Sequence, residues 1–170
     1  MREDSPVVDL KGVASYSVCW HPSKKEVLAC AGYDGKIRIF DTKANRQLRE
    51  LNGHTFSLLS VSWAGDGSTI ASAGKDARVK LWDFVRSQPQ ENIRDLYDVN
   101  SLEWCRDDQS VVTGVRRDGV EIHDLKTKQI TRLSFSDTVS IEGTNDAMPR
   151  VTELAITENG WLVICFVFRS

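Results

Sequence analysis

Long apolar runs are missing from this sequence. The longest, Trp161 to Phe168, has eight residues, whereas a membrane-spanning helix needs about 20. The opening Met-Arg-Glu-Asp-Ser-Pro has no apolar stretch of the kind a secretory signal carries. Cysteine is sparse: Cys19, Cys30, Cys105 and Cys165 lie far apart, and none forms a Cys-x-x-Cys pair. The three histidines are scattered as well, so the spacing of a zinc site is absent and no metal is expected. The cysteines fall in or beside apolar runs, which reads as reduced core thiols in a cytoplasmic or nuclear protein. A formal net charge of −2 gives no electrostatic case for broad nucleic-acid or membrane binding. No pair of carboxylates, Gly-rich phosphate loop or metal spacing supports an enzyme, and a Gly-x-Ser-x-Gly elbow is lacking, so neither catalysis nor a cofactor is expected.

What the chain does have is alternation. From Asn52 to Asp83 it reads Asn-Gly-His-Thr-Phe-Ser-Leu-Leu-Ser-Val-Ser-Trp, a turn, Ser-Thr-Ile-Ala-Ser-Ala-Gly-Lys-Asp, then Ala-Arg-Val-Lys-Leu-Trp-Asp. Three short runs with a two-residue period are separated by turn residues, the pattern of a half-buried antiparallel sheet. The same spacing recurs. Trp20 to Trp63 is 43 positions and Trp63 to Trp104 is 41, while Trp63 to Asp83 and Trp104 to Asp124 are both 20. A period of about 40–45 residues is that of a propeller blade.

The Gly53-His54 opening and Trp82-Asp83 closing resemble the WD40 repeat, one blade of a β-propeller. The resemblance covers nearly the whole chain from Val7 to Phe168. It implies an all-β fold: WD40 β-propeller blades, three complete four-stranded repeats and half of a fourth, in an open, incomplete propeller. The repeats fall at about 12–52, 53–93, 94–135 and 150–170, with a polar insertion at 136–149. Val7 to Leu10 reads as a stray outer strand of a preceding blade. The fourth repeat stops at Arg169-Ser170, where a tight turn and a third strand should follow. An apolar strand with a bare edge predicts self-association or a partner that supplies strands.

In WD40 blades the positions held here by His54, Ser72, Asp76 and Trp82 form a hydrogen-bonded chain from the indole through the hydroxyl and imidazole to the carboxylate. The resemblance implies that structural network in the second repeat. Ser, His and Asp are also the residues of a hydrolase triad, but the structural network uses all three and explains the Trp too. In the first repeat Val13, Cys30 and Phe40 replace His, Ser and Trp. In the third, Asp95, Thr113, Arg117 and His123 replace the four. Neither repeat is expected to carry the network.

The resemblance therefore implies a non-enzymatic protein-interaction scaffold, an adaptor subunit of a multiprotein complex within a larger propeller. Met148-Pro149-Arg150-Val151, running into Leu154 to Thr157, is similar to WD-repeat subunits of the GID/CTLH ubiquitin ligase. Trp20-His21-Pro22 also occurs in coronins. Family members usually meet partners through strand-entry loops and tight turns. The matching positions are Tyr33, Lys75 and Arg116, each just before the turn Asp position, and Phe56 and Tyr97, seven residues before the strand Trp. Aromatic and arginine side chains are frequent interface anchors. The alternative is phosphoprotein or nucleic-acid recognition through a basic loop face of Lys36, Lys75, Arg78, Arg116 and Arg117, although Asp34, Asp76 and Asp118 lie among them.

Overall fold

A computed structural model describes residues 14–94, 98–115, 119–133, 150–156 and 162–167. Every regular element among them is a strand. The first sheet contains β1 (Ser15–Trp20), β2 (Val27–Gly32), β3 (Ile37–Asp41) and β4 (Arg46–Leu51). The second contains β5 (Leu58–Trp63), β6 (Thr69–Gly74), β7 (Arg78–Asp83) and β8 (Gln88–Arg94). The third contains β9 (Val99–Trp104), β10 (Ser110–Val115), β11 (Gly119–Asp124) and β12 (Ile130–Leu133). β13 (Arg150–Ile156) and β14 (Leu162–Val167) form a two-stranded fourth sheet. Each sheet is an antiparallel meander in chain order, and the four do not join into one sheet.

The strands begin and end where turn chemistry demands it. At Asp34-Gly35 the chain reverses between β2 and β3, with Gly35 at φ 79°. That left-handed geometry is open to glycine without strain. Proline is kept to an edge: Pro89 lies in β8, the outermost strand of its sheet, where a missing ladder donor is tolerated.

The sheets stack as blades, with β1 beside β5, β5 beside β9 and β9 beside β13. Between the first two blades, Val27, Ala29, Ala31, Ile37 and Ile39 pack on Leu58, Val61 and Trp63. Between the second and third, Ala71, Ala73 and Val79 pack on Leu102 and Trp104. Small residues on each second strand make room for the Trp of the next blade.

A side-chain ladder links the inner strands, which share no backbone pairing. The Val61 amide donates to Ser17 Oγ at 3.4 Å. The Leu102 amide donates to Ser60 Oγ at 3.0 Å, and that hydroxyl lies 3.2 Å from the Leu102 carbonyl. The Leu154 amide donates to Ser101 Oγ at 3.0 Å, and Asn100 Nδ2 donates to the Val151 carbonyl. Ser17, Ser60 and Ser101 each stand three residues before their blade's Trp. Each hydroxyl therefore satisfies an inner-edge amide of the following blade, which would otherwise be a costly buried orphan.

Val7 to Leu10, the insertion at 136–149, Trp161 and Phe168 lie outside the described residues. No helix among the described residues is long and apolar enough to cross a membrane.

Candidate functional site

The second blade holds a continuous polar chain. Trp82 Nε1 donates to Ser72 Oγ at 2.8 Å. Ser72 Oγ is 2.8 Å from His54 Nε2, and His54 Nδ1 is 2.8 Å from Asp76 Oδ2. The Thr55 amide adds a 3.2 Å bond to the same carboxylate oxygen. Proton directions follow from the donor set. Asp76 only accepts, so Nδ1 carries the imidazole proton; Nε2 then accepts from Ser72, whose oxygen accepts from the indole. Elements far apart in sequence meet here: the loop before β5 supplies His54, β6 Ser72, the β6–β7 turn Asp76, and β7 Trp82.

The order Ser–His–Asp matches a hydrolytic triad, but access does not. The His54 and Asp76 side chains are 0% and 2% exposed, and Ser72 and Trp82 are buried beside them. Ser72 Oγ faces an indole rather than a cavity, so a substrate carbonyl has no approach without opening the blade. Burial works to raise the Asp76 carboxyl. The His54 hydrogen bond, the Thr55 amide and the Lys80 charge outweigh it and hold Asp76 below its ordinary value.

The flanking blades use other means. In the first, Cys30 and Phe40 stand in the Ser and Trp places and pack with Leu28 in an apolar cluster. Burial pushes the Cys30 thiol up to about 11. Asp34 turns to Arg38 instead, at 3.1 and 2.6 Å. The third blade departs from expectation, because it keeps a fragment of the network. Thr113 Oγ1 lies 2.9 Å from His123 Nε2, with both side chains buried. An imidazole nitrogen reaches the place an indole nitrogen would take. Burial keeps His123 below its ordinary pKa despite the opposing pull of Glu121. Glu121 is itself buried and held by Arg132 Nε at 2.6 Å. Asp95 and Arg117 lie outside the described residues.

Beside the sealed chain, several loops meet at one end of the blades. A Cβ at Gly35 would come within 2.9 Å of the Phe56 carbonyl, so the first blade's tight turn sits directly against the second blade's entry loop. The Lys75 amide donates to the Ser57 carbonyl at 3.0 Å, which joins the β6–β7 turn to that loop. Tyr33 and Phe56 are 58% and 63% exposed, and Lys75 is exposed beside them. The Tyr33 ring lies 6.0 Å from that of Tyr16. The structure thus brings Tyr33, Phe56 and Lys75 onto neighbouring loops of one end. Tyr97 and Arg116 lie outside the described residues.

At the opposite end His21 is a residue that motif reasoning passed over. Its Nδ1 accepts from the Ser23 and Lys24 amides at 3.2 and 3.1 Å. Its ring packs 4.7 Å from Trp63 and 6.0 Å from Phe84, and Gly67 at φ 71° leaves space for it. Burial and Lys24 keep this imidazole below its ordinary pKa. Its only sequence signal was a His-Pro pair directly after a strand Trp. No group of three His, Cys, Asp or Glu with metal-binding geometry occurs among the described residues.

Comparisons with known proteins agree with this architecture. Residues 6–41 and 45–83 match the family model for the WD domain, G-beta repeat. Coronin-7 of Rattus norvegicus is 40% identical over 74 residues, 44% of this chain and 8% of that protein. Protein SPA1-RELATED 3 of Arabidopsis thaliana is 28% identical over 141 residues, 79% of this chain and 17% of that protein. The intraflagellar transport protein 80 homolog of Rattus norvegicus is 29% identical over 109 residues, 61% and 13% of the two chains. The chain therefore spans only 8 to 17% of the length of these relatives. The crystal structure of the Myceliophteria thermophila Cps50 (Swd1) β-propeller domain superposes with a TM-score of 0.72 at 20% identity. That alignment takes in 92% of this chain and 50% of the propeller domain.

Proposed function

From the WD40 repeats matched at residues 6–41 and 45–83, we propose that this chain is a non-enzymatic adaptor. Its blades form part of a larger propeller that binds protein partners within a multi-subunit complex, in the cytoplasm or nucleus. The observation that carries this reading is the loop end, where Tyr33 and Phe56 are both more than half exposed beside Lys75. Exposed aromatics on a rigid support have the character of interface anchors, because they desolvate large area at little entropic cost. The network His54–Ser72–Asp76–Trp82 has a structural role here: it fixes the entry loop and the tight turn that carry Phe56 and Lys75.

Phosphoprotein or nucleic-acid recognition by a basic face is less well supported. Of its described members, Lys36 is paired with Glu50 at 2.8 Å, and the Asp76 carboxylate lies between Lys75 and Arg78 in sequence, which weakens the positive field locally. The test is affinity capture with Tyr33→Ala, Phe56→Ala and Lys75→Glu, with Val85→Asp at the far end of β7 as control. The proposal expects the same captured proteins to be depleted at least about tenfold in the first three and retained in the control. Undiminished capture by all three contradicts the assigned face. A steep decline of capture with salt, unaffected by the aromatic substitutions, supports the basic-face reading instead.

A further inference from the structure

Where the third blade departs from the second, it leaves room. Trp82 of the second blade is buried in one cluster with Leu51, and Phe84 packs against that cluster. In the third blade the strand register puts His123 at the Trp82 position, Leu125 at the Phe84 position and Ile93 at the Leu51 position. An imidazole is smaller than an indole, and a leucine is smaller than a phenylalanine. A cleft of about 180 Å³ lies in this place between the two blades. Among the described residues it is lined by Ile93, His123, Leu125 and Ile130, with the rest of the β11–β12 turn completing the wall. Both blades have all four of their strands, so the cleft is a feature of complete blades. One polar group in its wall is unsatisfied. His123 is 2% exposed, its Nε2 lies 2.9 Å from Thr113 Oγ1, and its Nδ1 is buried with no hydrogen-bond partner among the described residues. His54 in the second blade, by contrast, uses both ring nitrogens. A buried nitrogen left unpaired is costly, and a ligand that reaches it recovers that cost.

We propose that this cleft binds one aromatic ring system with a hydrogen-bond donor on its edge, of the indole or phenol type. The shape follows from the second blade, which fills the corresponding room with aromatic rings of its own. Ile93, Leu125 and Ile130 supply apolar walls for the ring faces. Glu121 Oε2 stands 3.6 Å from His123 Nε2, and a carboxylate there favours the imidazole proton on Nε2. Nδ1 is then an acceptor, and the ring edge must donate to it. The size admits a single ring system: an apolar cavity of about 150 Å³ takes up benzene, whereas sites for drug-sized molecules measure about 300–1,000 Å³. Ile130 is 45% exposed, so the ring enters from solvent beside it without parting the blades. Free aromatic molecules and aromatic side chains of a peptide share this chemistry. The cleft is built by other elements than the loops carrying Tyr33, Phe56 and Lys75, and the inference does not rest on the reading given to that end.

The test is an amide NMR titration of the full chain with three probes: indole, benzofuran, which has the same outline and no N–H, and N-acetyltryptophanamide, which carries the indole on a peptide unit. Indole should shift the amides of Ile93, His123, Leu125 and Ile130 saturably. It should bind about three- to tenfold more tightly than benzofuran, the worth of one buried hydrogen bond. His123→Trp and Leu125→Phe install the residues of the second blade, fill the cleft from within, and should each abolish the shifts. The comparison of indole with benzofuran uses the wild-type chain and does not depend on the variants folding. Binding of N-acetyltryptophanamide assigns the cleft to a peptide-borne side chain, and its exclusion while indole binds assigns it to a free ring; either upholds the site. Absence of saturable shifts at these amides with both indole and N-acetyltryptophanamide overturns the proposal. So does binding that survives in His123→Trp and Leu125→Phe, or equal affinity for indole and benzofuran.

Discussion

At the scale of single residues, His54 and Asp76 carry the largest individual consequences. His54→Ala leaves the Ser72 hydroxyl and the Asp76 carboxylate without their shared partner in a site that water does not reach. Asp76→Ala strands the imidazole N–H. Each should destabilise the chain by about 1–3 kcal/mol, read as a lower urea midpoint with an unchanged slope. Acidity should act on the same groups. The folded-state pKa of Asp76 is depressed, so its contribution is present above the ordinary carboxylate value and is lost as pH falls through the depressed one. His21 and His123 are also held below their ordinary value. The unfolded chain then binds their protons first, and stability starts to fall below about pH 6.5. Urea titrations between neutral pH and pH 5 should show this earlier loss, reduced in His123→Gln. The four members of the polar chain were legible because each kept its residue type at fixed spacing. The Thr113–His123 bond was not, because both types differ from the motif. Only the geometry shows that an imidazole nitrogen can stand beside the strand hydroxyl where an indole nitrogen would.

At the scale of strands, two-residue alternation and turn residues made the strand pattern of the second blade legible, and the recurring Trp spacing carried it to the neighbouring blades. The inner ladder was a different matter. Ser17, Ser60 and Ser101 recur at one register position, but a serine on an alternating strand reads as an ordinary solvent-facing residue. Its role depends on how two sheets sit against each other, which periodicity within one strand does not encode. Ser60→Ala should uncouple two blades without disturbing either sheet. The Leu102 amide loses its acceptor, and the cost should be about 0.5–1.5 kcal/mol. Local exchange should quicken at Leu102 while amides inside β6 keep their protection. A destabilisation spread evenly over both sheets would instead show that the serine acts within its own blade.

At the scale of the whole molecule, stability should be graded along the arc. The second blade is covered on both sides and contains the complete polar chain. In the first, Tyr16, Val18 and Trp20 of β1 are about half exposed, and the fourth sheet has two described strands. The loop end built by Tyr33, Phe56 and Lys75 rests on this second blade, so its rigidity depends on the blade beneath it. Native-state hydrogen exchange reports that gradient, with the Trp82 indole N–H as the most informative single proton. The account predicts that the Trp82 indole and the amides of β6 and β7 exchange only with global unfolding, that the half-exposed Trp20 indole exchanges rapidly, and that Asp76→Ala removes most of the difference. A Trp82 indole that exchanges as fast as that of Trp20 in the wild-type chain would contradict it.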